Sequence, residues 1–173
     1  TSAKFNYFSW GLATCFFLIS GEARLFRSAV MRASYLGQDR SDIKFAVKEL
    51  SRRMAKPRRR DVEALKRLAR YLVANTRKVS LFKRQDKPGG IKCWSDSDWA
   101  GCPETRKSTS GGVAMVGRCC VKSWSKTQGT IAQSSAESEL IATVYGDTEG
   151  LGLISLAFDL GLDMKMRLHV DAS

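Results

Sequence analysis

Residues 91–125 read IKCWSDSDWAGCPETRKSTSGGVAMVGRCCVKSWS, and this stretch decides the fold of the second half of the chain. Its apolar residues recur with a period of two in IKCWSD (91–96), GGVAMVG (111–117) and CCVKSWS (119–125). That period favours strands, and the short glycine-arginine turn between the last two segments favours a tight hairpin. We therefore predict a three-stranded antiparallel meander.

The residues after the meander predict a long helix and a fourth strand. The helix is expected over residues 136–160, and MKMRLHVD (164–171) alternates as a strand does. A long helix is the usual crossover between parallel strands, so the last strand is expected beside the first and parallel to it. The fold class is therefore α/β with a mixed sheet. The residues expected to face inward from the helix are Leu140, Val144, Leu151, Ile154 and Phe158.

The first half of the chain has a helical period instead. Helices are expected over residues 22–37, 42–56 and 60–75. Ser41 or Asp42 is expected to cap the second helix, and Pro57 to end it. The residues at helical spacing are Leu25, Ala29, Arg32 and Leu36 in the first helix, Ile43, Ala46, Val47, Leu50 and Met54 in the second, and Val62, Leu65, Leu68, Leu72 and Val73 in the third.

Positive charge is concentrated in residues 1–90, which hold 21 basic and 7 acidic residues. Residues 91–173 hold 8 basic and 10 acidic residues. Such an asymmetry indicates two units and favours a polyanion as the partner of the first. Nucleic acid is the favoured polyanion, and an anionic membrane or an ordinary solvated surface are the alternatives.

The Pro-Gly-Gly sequence at 88–90 indicates a boundary between domains. We assign residues 1–21 to a hydrophobic segment of unclear origin, 22–83 to a basic helical segment, 84–90 to a linker and 91–173 to the second domain. The uncharged run within the first segment is shorter than the roughly 20 residues of a membrane span, so no membrane partner is expected. We expect the run to be a buried strand or helix, or sequence from outside the original domain.

Three groups of carboxylates stand out in the second half of the chain. Asp96 and Asp98 follow the first strand, Glu137 and Glu139 open the long helix, and Asp171 ends the last strand. Parallel neighbours bring their carboxyl ends to one edge, where ligands of such sheets bind. Clustered carboxylates without nearby cations suit Mg²⁺ or Mn²⁺.

Within two of these groups the local sequence favours one acid. Ser134 to Glu137 fits a capping box, which leaves Glu139 for a metal. Asp96 continues the alternation of the strand, whereas Asp98 is expected in a turn beyond it. The alternative for all the acids is structural, because carboxylates are common at strand ends and helix N-termini.

Basic residues cluster at the junction of the second and third helices and on the outer face of the third. A phosphate backbone is one partner for them, and a solvated turn is the other interpretation. These candidates are Arg52, Arg53, Lys56, Arg58, Arg59, Arg60, Lys66, Arg67 and Arg70. His169, the one histidine, is expected to be a packed or edge-strand residue rather than a ligand.

Several motifs together resemble the C-terminal part of the Pol polyprotein of copia-type LTR retrotransposons. SDSDWAG (95–101), RKSTSGG (106–112), KSWSKTQGTIAQSSAESEL (122–140) and HVDAS (169–173) are similar to its ribonuclease H domain, in the same order and spacing. Residues 26–57 and 64–72 resemble the segment that leaves the reverse transcriptase, its thumb or connection.

The resemblance implies an RNase H-like fold that cuts the RNA strand of RNA–DNA hybrids with two metal ions, Mg²⁺ or Mn²⁺. It places three of the family's four acids on Asp96, Glu139 and Asp171, and it suggests phosphate contacts or a structural turn for Arg106, Lys107 and Ser108. The implied partners are a hybrid or template–primer and the rest of the reverse transcriptase, with no small-molecule cofactor. The implied location is a retroelement particle in the cytoplasm, and the nucleus.

The chain also departs from the family pattern. The fourth acid of the family lies on a later helix, and the sequence ends at Ser173, so a truncated RNase H domain is expected. Whether such a domain is an active ribonuclease is left open. A non-catalytic nucleic-acid-binding fragment and a degenerate retroelement relic are the alternatives.

Overall fold

The computed structural model of the chain describes residues 17–170. It divides the chain into two compact units, Thr1–Lys78 and Val79–Ser173. Most of the hydrophobic segment predicted at residues 1–21 therefore lies outside the described residues, as does Asp171. Within the described ranges, no helix is both long enough and apolar enough to cross a bilayer.

The first unit is helical, as the period of its sequence predicts. Helix α1 spans Ser20–Leu36, a single 3₁₀ turn at Ser41–Ile43 leads into α2 at Lys44–Ser51, and α3 spans Arg59–Ala74. The core between them consists of Phe26, Val30 and Ala33 from α1, Ile43, Val47 and Leu50 from the second segment, and Leu68 from α3. The predicted stripe of α2 is confirmed, but that of α1 is wrong: Leu25 is 69% exposed, and the neighbouring stripe through Phe26 and Val30 is buried.

The end of α2 differs from the prediction. The helix ends at Ser51 rather than at Pro57, and two successive turns follow, in which Arg53 N donates to Leu50 O and Met54 N to Ser51 O. The backbone is extended at Arg58, with φ −116° and ψ 164°. This segment pairs with residues 17–18: Pro57 O accepts from Leu18 N, and Phe17 and Arg58 form an isolated antiparallel bridge.

The sequence predicts that Ser41 or Asp42 caps α2, but neither side chain caps it. The two carboxylate oxygens of Asp42 accept hydrogen bonds from the Arg40 guanidinium, at 3.0 and 2.8 Å, and one also accepts from the Tyr71 hydroxyl at 2.8 Å. These bonds hold the pKa of Asp42 well below its usual range, with Arg40 as the main cause. The side chain thereby links the start of α2 to α3.

The second unit is a mixed four-stranded sheet with one long helix, and the predicted fold class is confirmed. The strands are β1 (Gly90–Asp98), β2 (Thr109–Val116), β3 (Cys119–Thr127) and β4 (Lys165–Val170), and helix α4 spans Ser135–Asp159. The order across the sheet is β3-β2-β1-β4, with β1–β2 and β2–β3 antiparallel and β1–β4 parallel. This is the arrangement of an RNase H-like fold.

Helix α4 packs on the sheet through small residues, which corrects the predicted inward face. Leu140 and Phe158 are 63% and 76% exposed, and Val144 and Leu151 are exposed as well; of the five, Ile154 alone is partly buried against the core. The buried positions are instead Ser138, Ala142, Gly146, Gly150 and Ala157. The helix lies so close to the sheet that larger side chains do not fit between them: a Cβ on Gly146 would come within 2.9 Å of Ser95 Cβ.

The stretch predicted as a linker contains a residue that packs on the hairpin of β2 and β3. Gln85 donates to Val116 O at 3.0 Å and accepts from Arg118 N at 2.8 Å. Gly117 between them has φ +59°, where glycine is the favoured residue. Gln85 therefore stabilises the turn of the hairpin from outside it.

Candidate active site at the carboxyl end of the first strand

The two faces of β1 have different surroundings. Ile91, Cys93 and Ser95 are buried beneath α4, and the Ser95 hydroxyl donates to Ala142 O at 2.7 Å. Trp94 and Asp96 alternate with them and are exposed on the opposite face. Asp96 thus lies on an accessible face near the carboxyl end of β1, as the alternation predicts.

Glu139 reaches the same end of β1 from α4. Its Oε1 accepts hydrogen bonds from the Ser97 hydroxyl at 2.9 Å and from Ser97 N at 3.3 Å. That N–H belongs to the peptide bond between Asp96 and Ser97. Glu139 therefore contacts the backbone directly after Asp96, whereas the Asp96 side chain lies on the opposite face of β1.

The second carboxylate oxygen of Glu139 has unusual surroundings. Glu139 Oε2 is buried and has no hydrogen-bond partner. Leaving a buried charged oxygen without a partner is unfavourable, and such an atom is commonly completed by an ion or water. A carboxylate oxygen of this kind is the type of donor that a hard divalent cation prefers.

Asp171, the third predicted acid, lies outside the described residues. It follows Val170, whose register partner is Ser95, the residue before Asp96. Between residues 17 and 170 no group of three or more His, Cys, Asp and Glu side chains could hold a metal ion. The three-acid site therefore remains a prediction, of which the structure describes Asp96 and Glu139 at the same end of β1.

A buried polar network supports Glu139, and sequence reasoning missed it. The Ser97 and Ser138 hydroxyls lie 2.7 Å apart, and Ser138 donates to Ser135 O at 2.8 Å. Gln128 then donates to Ser138 O at 2.9 Å and to Ser110 Oγ at 3.0 Å. The alternation of β1 could have revealed Ser97, because it shares the face of Ser95, but nothing in the spacing indicates Gln128.

The sequence assigns structural roles to Glu137 and Asp98, and only the first of these two predictions is confirmed. The cap formed by Ser134 is confirmed: its hydroxyl accepts from Glu137 N at 3.1 Å, while the Glu137 carboxylate accepts from Gln133 N. The turn expected at Asp98 is wrong, because β1 continues through Asp98, which pairs with Thr109. The strand is extended by its antiparallel partner, which the sequence of β1 does not reveal.

The loop after β1 contains Arg106, Lys107 and Ser108, for which the sequence allows either phosphate contact or a structural turn. Ser108 is fully buried, and its hydroxyl accepts from Ala100 N at 3.0 Å, so its role is structural. Lys107 donates to Gly129 O at 2.6 Å. Arg106 is exposed, with φ +56°, and stays a candidate for phosphate contact.

The predicted basic residues of the first unit divide by exposure. Lys56, Arg59, Lys66, Arg67 and Arg70 are exposed. The other four are half-buried: Arg52, Arg53, Arg58 and Arg60. Of the exposed set, all but Lys56 lie on α3 at positions that share one helical face. That face is the more accessible part of the predicted phosphate-binding surface.

His169 is a packed residue of the edge strand, as expected. Its ring stacks on that of Trp94, with centroids 5.0 Å apart and planes at 12°. The two residues are register partners across β1 and β4.

Comparison with known proteins identifies relatives for most of the chain. The uncharacterised mitochondrial protein AtMg00810 of Arabidopsis thaliana is 41% identical over 115 residues, 66% of this chain and 47% of that protein. Retrovirus-related Pol polyproteins from the Arabidopsis transposons RE1 and RE2 are 33% and 32% identical over 137 and 140 residues. These alignments cover 79% and 81% of this chain, but 9% and 10% of the polyproteins.

The chain thus spans about half the length of the first relative and about a tenth of the two polyproteins. No family model and no solved structure matches it. The alignment with Pol polyproteins over most of the chain agrees with the resemblance of its motifs to that family. The strand order agrees with the RNase H-like fold that the motifs imply. The homologues of this chain are therefore retrovirus-related Pol polyproteins of the copia type and AtMg00810-like proteins.

Proposed function

We propose that the second unit hydrolyses the RNA strand of RNA–DNA hybrids with Mg²⁺ or Mn²⁺, as part of a retrotransposon Pol polyprotein. The observation that carries the proposal is the position of Glu139. One of its oxygens is bonded to the peptide that follows Asp96, and the other is buried without a partner. Asp96, Glu139 and Asp171 are the proposed metal ligands.

The bound metal would supply an activated water and a counter-charge for the phosphate. The protein's own contribution is to hold the carboxylates. Ser97 of β1 hydrogen-bonds Glu139, and the Ser138 hydroxyl of α4 contacts the Ser97 hydroxyl. Gln128 fixes the first turn of α4 through Ser138 O. Because Asp96 is exposed, a phosphate of the substrate can approach it without a rearrangement of the fold.

The first unit is proposed to hold the substrate by its phosphate backbone. The exposed cations of α3 provide a sequence-independent contact of the kind that makes binding fall steeply with salt. In the longer polyprotein this surface would serve a template–primer, with the remaining reverse transcriptase as the partner. The proposed location follows that context, a retroelement particle in the cytoplasm and the nucleus.

The test is cleavage of a hybrid labelled on its RNA strand, in the presence of Mg²⁺. Asp96→Asn and Glu139→Gln are expected to lower the rate at least about 100-fold, since each removes a ligand charge. Asp98→Asn and Glu137→Gln are matched controls, with the same changes two residues away, and are expected to stay within a few-fold of the unsubstituted chain. Circular dichroism checks that each variant is folded.

Two outcomes would contradict hydrolysis. One is absence of cleavage by the chain, both alone and joined to the sequence that follows this region in a Pol relative. The other is equal loss of activity in the controls. Tight, strongly salt-dependent binding of the hybrid without cleavage would instead support a non-catalytic role, which the exposed cations of α3 favour as the second candidate.

A further inference from the structure

The segment that leads into α4, residues 128–134, contains no helix or strand, and we call it the β3–α4 segment. Gln128 N donates to Ser108 O at 2.9 Å, and Gln133 N donates to the Glu137 carboxylate. A segment without secondary structure of its own keeps its position only through contacts with other parts of the chain. The position at which α4 begins therefore depends on what holds this segment.

Two side chains from the loop between β1 and β2, residues 99–108, hold the β3–α4 segment. The Trp99 indole N–H donates to Ala132 O at 3.1 Å, and the Lys107 ammonium donates to Gly129 O at 2.6 Å. Both acceptors are backbone carbonyls, so these bonds fix the path of the main chain. The bond from Lys107 is the stronger type, because its donor is charged.

The β1–β2 loop has hydrogen bonds of its own that make it a firm support. Ser108 is fully buried, and its hydroxyl accepts from Ala100 N at 3.0 Å. Cys102 N donates to Lys107 O at 3.2 Å, and Ser108 O accepts from Gln128 N. The residues on either side of Lys107 in the loop are thus held while its side chain reaches across to Gly129.

The β3–α4 segment ends at Ser134, the N-cap of α4, and Glu139 follows in the second turn of the helix. Glu139 contacts Ser97 near the end of β1, and the loop that carries Trp99 begins directly after β1. The same loop therefore connects the end of β1 with the start of α4, in addition to the direct contact between Ser97 and Glu139.

We propose that Trp99 and Lys107 are positioning residues, which hold the start of α4 so that the Glu139 carboxylate stays against Ser97. They act through the backbone carbonyls of Ala132 and Gly129. The consequence for binding of a divalent cation rests on the proposed function, whereas the effect on the contact between Glu139 and Ser97 does not. A phosphate-binding role for Lys107 fits less well, because its ammonium already donates to Gly129 O.

The first test is amide hydrogen exchange of the metal-free chain, followed by NMR. The double variant Trp99→Phe, Lys107→Met removes both donors and keeps side chains of similar size. We expect faster exchange at Ser97 N, which donates to Glu139, by about 10-fold or more, the factor typical of losing a bond from a charged donor. Arg118 N, at the far end of the hairpin, is the internal reference and should exchange at an unchanged rate.

The second test is Mn²⁺ affinity, measured from the relaxation of water protons. We expect the double variant to bind Mn²⁺ about 10–100-fold more weakly, the range typical when residues that support a metal ligand are replaced. Lys107→Arg keeps a cationic donor and should stay within about 3-fold of the unsubstituted chain. The matched control is Lys122→Met, which removes a lysine that pairs with Glu149 instead, and its affinity should be unchanged.

Unchanged exchange at Ser97 N in the double variant overturns the proposal, whether or not the chain binds Mn²⁺. Equal acceleration at Ser97 N and Arg118 N would also overturn it, because it would show a general loss of stability. A loss of Mn²⁺ affinity in Lys122→Met as large as that in the double variant would contradict a positioning role as well. If the unsubstituted chain bound no Mn²⁺, the proposed function would fail, while exchange at Ser97 N would still test the positioning role.

Discussion

Gly146 controls how closely α4 approaches the sheet, and its replacement by alanine gives a quantitative test of the packing. The added Cβ would lie 2.9 Å from Ser95 Cβ and 3.2 Å from Ser95 Oγ. Carbon atoms in contact prefer about 3.5–4.0 Å, so α4 must move away by about 0.6 Å or more. The movement also stretches the 2.7 Å hydrogen bond from the Ser95 hydroxyl to Ala142 O.

The expected cost combines two opposing effects. Overpacking of this kind costs about 1–3 kcal/mol, while alanine is favoured over glycine in a helix by about 1 kcal/mol. Gly146→Ala should therefore lower the free energy of unfolding by about 1 kcal/mol. Gly152, in the same helix, is exposed and has no atom within 4 Å of an added Cβ. Gly152→Ala should stabilise by up to about 1 kcal/mol for the same propensity reason.

The assay is hydrogen exchange of the β1 amides, which reports the opening of the second unit separately from that of the helical unit. Gly146→Ala is expected to lower the free energy of opening measured at these amides, and Gly152→Ala to raise it. The two variants should differ in this free energy by about 2 kcal/mol. If Gly146→Ala stabilised the protein as much as Gly152→Ala, the close approach of α4 to Ser95 would be refuted.

Three further predictions concern other parts of the chain. Asp42→Asn is expected to destabilise the first unit by about 1–2 kcal/mol in urea unfolding, because it weakens charged hydrogen bonds to Arg40. The folded state lowers the pKa of Asp42. The stabilisation by Asp42 is therefore complete above the unfolded pKa near 3.9 and is lost as the pH falls towards the folded pKa. An undiminished difference between the two proteins at pH 2 would contradict it. Gln85→Ala is expected to speed hydrogen exchange at Arg118 N, and unchanged protection would show that Gln85 does not support the turn. The triple variant of α3 replaces Lys66, Arg67 and Arg70 by glutamine. It is expected to reduce the slope of log affinity for a duplex against log salt concentration by about 2.7. An unchanged slope would show that α3 is not part of the phosphate-binding surface.

The order of the secondary-structure elements could be predicted from periodicity and turn composition. The parallel pairing of β4 with β1 followed from the length of the connecting helix, and the structure has that pairing. The inward face of α4 could not be predicted in this way, because large apolar residues were assigned to the core. The helix instead buries glycine and alanine, since a close helix–sheet approach leaves no space for larger side chains.

The candidate site shows a similar division between local and long-range information. The choice of Glu139 over Glu137 rested on capping within one helical turn, and the Ser134 cap is present. Ser97 is in β1, Ser138 is in α4 and Gln128 follows β3, so their hydrogen bonds depend on how these parts of the chain pack. The spacing of residues in the sequence does not predict such contacts, because it describes only neighbours within one helix or strand.

The proposed divalent-cation site uses Asp96 and Glu139 at the carboxyl end of β1. Paramagnetic broadening of backbone amides by Mn²⁺ locates the ion, because broadening identifies the residues near it without requiring turnover. We expect Mn²⁺ to broaden the amides of Ser97 and Glu139, Asp96→Asn and Glu139→Gln each to abolish the effect, and Glu137→Gln to retain it. Broadening that persists in both ligand variants, or that is centred elsewhere in the chain, would exclude this site.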